Sequence, residues 1–185
     1  MELFSRVFGR KTAEKKAYLL YVTIANHARQ PLFYTKGHVA DTLDGRFDVL
    51  AIYMSLVLMR LNMETDNKKA DDLGRLLQEV MFANLDQSLR EIGVGDLGVG
   101  PKVKKMAEAL FGRQKVYEEA FAEEGEACVS ALKEALARNL YRGEKVDDKV
   151  LTAVAEHMVA QKLYLQEVAF SDLWKGQPRL LAFEL

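Results

Sequence analysis

The 185 residues leave room for one folded domain, and 49% hydrophobic with 29% charged residues, 3 Pro and 12 Gly, is globular composition, neither disordered nor fibrous. Lys plus Arg number 26 against 27 Asp plus Glu, a net charge of -1, so no bulk basic field draws the chain onto DNA and any nucleic-acid contact must be local. The single cysteine, Cys128, excludes an internal disulfide framework and a thiolate-rich zinc site, and suits a reducing compartment.

At the start of the chain Leu3, Phe4, Val7 and Phe8 fall on one helical face, with Arg6, Arg10, Lys11, Lys15 and Lys16 around it. Residues 1–11 therefore read as a short amphipathic helix. Either it packs on the domain with its cations solvated, or those four apolar residues rest on an anionic membrane surface. The segment has neither the continuous apolar region nor the cleavage pattern of a secretory signal.

From Thr12 onward Ala17, Leu20, Tyr21, Ile24 and Ala28 make one helical face, ended by Pro31. The eleven residues Val49 to Met59 are apolar apart from Ser55 and closed by Asp48 and Arg60. As a helix they would cover only about half of a ~30 Å hydrocarbon core, so they predict a buried central helix and not a membrane span. Residues 70–92 repeat Leu73, Leu76, Leu77, Val80, Met81, Leu85, Leu89 and Ile92 in steps of three and four. Val103, Met106, Leu110, Tyr117 and Phe121 continue the pattern, as do Val129, Leu132, Leu136 and Leu140, then Leu151, Val154, Met158, Leu165 and Val168. No stretch alternates as a strand would. The expectation is an all-α fold, one compact helical domain of about six or seven helices with a short C-terminal tail. Its subdivisions are the segment 1–11, a core over 12–143, a C-terminal helix within 144–175 and a tail over 176–185.

Gly93-Val94-Gly95-Asp96-Leu97-Gly98 matches a dinucleotide-binding fingerprint in letters, but a long helix and not a strand precedes it. Gly93 reads better as the left-handed residue closing that helix, with Val94 against Leu89 in a Schellman cap. Gly100-Pro101 then suggests the start of the next helix, with Pro at its first position. On that reading Lys102, Lys104 and Lys105 crowd a helix N-terminus. They either point into water or pair with Asp96, or build an anion site with the free N–H groups. Ahead of the apolar helix, Asp41-Thr42-Leu43-Asp44-Gly45-Arg46-Phe47-Asp48 packs four further charges. There Thr42 or Asp44 can cap the helix, Asp44-Gly45 can turn and Arg46 can bridge two carboxylates; the alternative is a polar contact surface for a partner. His27, His38 and His157 lack a Glu three residues earlier, so a di-iron bundle site is not expected, and Cys128 reads as a packed thiol. No catalytic residue, metal ligand or cofactor is assigned.

Taken together these motifs resemble the ubiquinol-cytochrome c chaperone family, assembly factors of the cytochrome bc complex. The resemblance runs over residues 17 to 143: Ala28-Arg29, Phe33-Tyr34, Val39, the block 41–48, Leu58, Arg60-Leu61, Asp86, Leu89-Arg90-Glu91, the block 93–97, Val99, Lys102, Lys105-Met106, Phe111-Gly112-Arg113 and Tyr117, with an echo at Arg138-Asn139-Leu140-Tyr141. Ala40 stands where that family usually has proline, Tyr53 where histidine is common and Ile92 where methionine is usual.

The resemblance implies a chaperone and not an enzyme. It would hold newly made, unassembled cytochrome b near the ribosome, together with a second assembly factor, until haem and later subunits are added. Mitochondrial relatives carry transit sequences, so a chain beginning almost directly with its domain suggests a bacterial cytoplasmic protein working at the inner membrane face. The expected partner-binding edges are Asp41, Asp44, Arg46 and Asp48 on one side and Arg90, Glu91, Asp96, Lys102, Lys105 and Arg113 on the other. Gly112 suggests close approach of another backbone beside Arg113. A rival class is a peripheral lipid- or RNA-binding module using the basic helix start after Gly100.

Overall fold

A computed structural model describes residues 2–184, with side chains from residue 11 onward. Eight helices follow in order: α1 (Glu2–Ala28), α2 (Pro31–Thr35), α3 (Leu43–Asn62), α4 (Lys68–Glu91), α5 (Asp96–Ala120), α6 (Gly125–Asn139), α7 (Asp148–Glu167) and α8 (Phe170–Lys175). Six are long and two are single short turns, and no strand occurs among the described residues, so the all-α expectation is met. No helix of the described residues is long and apolar enough to cross a membrane. The expected membrane contacts Leu3, Phe4, Val7 and Phe8 lie outside the residues whose side chains are described.

The chain divides into two compact units, each built from three chain segments. The first comprises Met1–Thr23, Leu61–Ala109 and Val168–Pro178. Its core is the stripe expected for α4, with Leu73, Leu76, Leu77, Met81, Leu85 and Leu89 buried, together with Ala17, Leu20 and Tyr21 of α1 and Leu173 of α8. Ile92 departs from the stripe and is exposed, because it is the C-cap of α4, where the helical register ends. Asn67 caps the other end by accepting from the Lys69 N–H. The Tyr21 hydroxyl donates to Asn84 at 2.7 Å, giving the polar tip of a buried ring a partner. Gly176 ends α8 with φ +78°, and a Cβ there would lie 2.6 Å from Cβ of Leu19. Only glycine fits both the left-handed backbone and that contact.

The second unit comprises Ile24–Arg60, Leu110–Glu167 and Arg179–Leu185. Its centre is α3, where every residue from Phe47 to Leu58 is buried, as predicted for the apolar run from Val49 that only Ser55 interrupts. Each fully buried Leu, Ile or Met adds roughly 2 kcal/mol of transfer free energy. Leu110 and Tyr117 of α5, Leu132, Ala135 and Leu136 of α6, and Val154, Ala155, Met158 and Leu165 of α7 complete the core. The Arg60 guanidinium, buried at the end of α3, donates from Nε to the Leu165 carbonyl at 2.9 Å. The region read as one C-terminal helix is two, since the chain leaves the helix between Glu167 and Phe170. The tail beyond it is not loose: Leu180 is buried and Phe183 fully so.

Candidate functional site

The block 41–48 forms the mouth of α3 in the second unit. Thr42 is its cap: the Thr42 hydroxyl accepts from the Gly45 N–H at 3.1 Å and the Thr42 carbonyl from the Arg46 N–H at 2.9 Å. Asp44-Gly45 is consequently helical and not a turn, because the cap sits two residues ahead of it. Gly45 is required for another reason, since a Cβ there would lie 2.0 Å from the Ala40 carbonyl oxygen.

Four charges of this mouth separate into two layers. Outside, Arg46 pairs with Asp41 at 2.6 Å, both more than half exposed, and this hydrogen bond holds the Asp41 carboxyl below the usual carboxylate range. Arg46 reaches this one carboxylate and does not bridge two. Inside, Asp48 is 1% exposed and receives Arg113 at 2.7 Å and Arg142 at 3.0 Å. The bridging arginine is Arg142, which also meets Asp44 at 2.9 Å. Burial raises the Asp48 pKa against the opposing pull of Arg113 and Arg142. Arg113 further lies 5.5 Å from the Phe47 ring centre and donates to the Asn139 carbonyl at 3.4 Å, so one buried carboxylate ties α3, α5 and the end of α6 together.

Arg113 therefore belongs with the 41–48 block and not with the residues around Arg90. The charges of Asp48 and Arg113 are met within the unit, which suits them to shaping the surface more than to meeting a visitor. Arg142 was not singled out from the sequence. Its signal is backbone, since it precedes Gly143 and holds φ +54°, a left-handed conformation that a non-glycine residue adopts at a cost of about 1 kcal/mol. Beside it the Tyr141 hydroxyl donates to the Gly37 carbonyl at 2.7 Å, fixing the loop that aims Arg142. Gly112 has open space within 4 Å, so the expected close approach of another backbone does not occur within this chain.

A surface cleft of about 280 Å³ opens at the outer layer, lined by Arg29, Pro31, Tyr34, Thr35, Asp41 and Arg46. The Tyr34 hydroxyl donates to the Ala28 carbonyl at 2.9 Å, which sets the ring as one wall. Two guanidiniums, one carboxylate and one aromatic face give this cleft a net positive rim on an apolar floor.

The second block lies in the first unit. Gly93 has φ +90°, with the Val94 N–H bonded to the Leu89 carbonyl and the Gly93 N–H to the Arg90 carbonyl, both at 3.0 Å, the Schellman geometry expected. Arg90 pairs with Asp86 at 2.6 Å and also with Asp96, and Glu91 accepts from Gln87 at 2.8 Å. The next helix begins at Asp96 and not at Pro101, which is interior to it. Gly95 allows the earlier start by accepting the Gly98 N–H at 2.8 Å, and the ring of Pro101 leaves the Leu97 carbonyl without its donor at a residue 96% exposed, where water can serve. Lys102 and Lys105 are exposed on the second and third turns, and Asp96 pairs with Arg90 and not with the lysines. The lysines thus lie on the second and third turns and not on the first, so the basic helix start at Gly100-Pro101 on which the lipid or RNA reading rested is not formed.

Among the described residues no three His, Cys, Asp or Glu groups are placed to hold a metal. Cys128 is buried, and burial raises its thiol pKa. Tyr53, at the position where the resembled family commonly has histidine, is buried with its hydroxyl 2.8 Å from Nε2 of His157.

The family model of the ubiquinol-cytochrome C chaperone matches residues 35–181. The chain belongs to this family. The crystal structure of the Cbp3 homolog from Brucella abortus superposes with a TM-score of 0.82 at 27% identity, covering 99% of this chain and 98% of that one. A search of curated proteins gives no match. For this ubiquinol-cytochrome C chaperone family member the match spans the mouth of α3, the Schellman cap and Arg142 alike.

Proposed function

We propose that this chain is an assembly chaperone, without a reaction of its own, that binds newly made cytochrome b during biogenesis of ubiquinol-cytochrome c reductase. The observation that carries the reading is family membership over residues 35–181. Within the chain, the exposed Asp41, Asp44 and Arg46 beside the cleft of Arg29 and Tyr34 support a polar contact with a client loop or helix end. Asp48 and Arg113 hold that contact edge in shape. Arg90, Glu91, Asp96, Lys102 and Lys105 supply a second edge on the first unit. The ribosome, a second assembly factor and the inner membrane surface belong to the same proposal, with the bacterial cytoplasm as its setting.

The test is charge reversal of the full-length chain. Arg46→Glu removes an exposed ion pair that adds little to the fold, so the thermal midpoint stays within a few degrees while co-purification of cytochrome b is lost. Cytochrome b recovered in unchanged amount with the Arg46→Glu chain refutes the contact edge.

A further inference from the structure

The cleft at the mouth of α3 is unequally charged. Its walls carry the guanidiniums of Arg29 and Arg46 and the carboxylate of Asp41, over a floor of Pro31 and the Tyr34 ring. Burial raises the Tyr34 pKa, and Arg46, Asp41 and Arg29 each act on it as well, so all three charges converge on one hydroxyl. The surplus is one positive charge.

The donors left free in the cleft are all cationic. The Tyr34 hydroxyl spends its hydrogen on the Ala28 carbonyl and the Thr35 hydroxyl on the Pro31 carbonyl, both at 2.9 Å. Asp41 is taken by Nε of Arg46 at 2.6 Å. That bond uses one corner of the Arg46 fork and holds the guanidinium in place, while its two terminal nitrogens make no hydrogen bond among the described residues. Arg29 is exposed, and its guanidinium has neither an ion pair nor a hydrogen bond among the described residues. An occupant must therefore bring acceptor oxygens and negative charge. The volume of about 280 Å³ lies just under the ~300 Å³ at which small-molecule pockets begin, enough for one side chain and too little for a cofactor.

We infer that this cleft captures a single Asp or Glu side chain of the client, its carboxylate held between Arg29 and the terminal nitrogens of Arg46 beside the Tyr34 ring. Such a side chain is the group recognised at the client contact proposed above, on which this reading rests. A planar carboxylate fits the arginine fork and brings the one negative charge that balances the rim. An RNA strand or an anionic bilayer brings many, and its further phosphates would meet the exposed Asp41 and Asp44.

The experiment titrates the isotope-labelled full-length chain, at constant ionic strength, with N-acetylglutamate N-methylamide, its glutamine counterpart and dimethyl phosphate, following the arginine Nε–H resonances. The glutamate compound is expected to shift the Arg29 and Arg46 signals saturably, and the glutamine compound is not. Arg29→Gln weakens that binding roughly tenfold, and Arg29→Lys weakens it less, since an ammonium keeps the charge without the fork. Arg29 has no partner to lose, so both variants melt with the wild-type chain. Arg29→Gln also recovers several-fold less cytochrome b. Absence of a saturable shift, an equal response to the glutamine compound, or tighter binding of dimethyl phosphate overturns the carboxylate site. Cytochrome b recovered in unchanged amount with Arg29→Gln overturns its use on the client. If the wild-type chain itself recovers no cytochrome b, the client reading fails, and the titration alone decides the cleft.

Discussion

Asp48 and Arg46 stand two positions apart in one charged block, yet burial gives them opposite energetic roles. Arg113→Ala leaves a carboxylate that is 1% exposed with Arg142 as its remaining arginine, and such a loss costs about 3 kcal/mol, readable as a lower urea midpoint. Arg46→Ala, on an exposed pair, moves that midpoint hardly at all. The histidines carry the pH dependence. Burial lowers the His157 pKa to about 4, with the nearby His27 adding to the shift, and burial lowers His27 too, against its bond to Leu181. In the unfolded chain histidine titrates near ~6.5, so on acidification the unfolded state takes up protons first. Stability from this pair is complete above about pH 6.5 and declines as the pH falls toward about 4. Urea midpoints near pH 7.5 and near pH 5 should differ more for the native chain than for His157→Gln; parallel changes would remove His157 from the account.

At the scale of elements, two glycines legible as letters have opposite meanings that only packing reveals. Gly45 faces the Ala40 carbonyl so closely that a Cβ would fall at 2.0 Å, and Gly45→Ala is expected to disrupt the mouth of α3 and lower the melting temperature strongly. Gly112 lies in an exposed helical stretch with nothing within 4 Å, so Gly112→Ala should stabilise by about 0.5–1 kcal/mol. The helices themselves were readable, because the buried face of α4 repeats the periodicity of the sequence and α3 buries its apolar run on all sides. The start of α5 was not. Pro101 is a strong local signal for a first helical position, but the turn made by Gly95 and Gly98 captures five residues before it. A short-range hydrogen bond outweighed a residue preference.

On the scale of the whole chain, the ending is the least legible part and among the most deeply placed. Lys175-Gly176-Gln177-Pro178 reads as a tail, yet Phe183 returns to stack on Phe33, 150 positions earlier in sequence. Phe183→Ala is expected to cost about 3–4 kcal/mol, measured by chemical denaturation, through lost burial and the cavity left beside Phe33 and His157. Nothing local in Leu180-Leu181-Ala182-Phe183 announces this, because the partners Gln30, Gln161 and His27 are brought to it by other helices.

Helical class, the greasy centre of α3, the Schellman cap at Gly93 and the family follow from the sequence alone, since each is encoded within a turn or two of chain or in a run of specific letters. Which arginine meets which carboxylate was decided by tertiary structure. Arg113 and Arg142 lie 65 and 94 positions from Asp48, and no periodicity records that separation. Burial of the shared carboxylate selects them over the adjacent Arg46, because a charge removed from water must find its partners within reach, however distant they are along the chain.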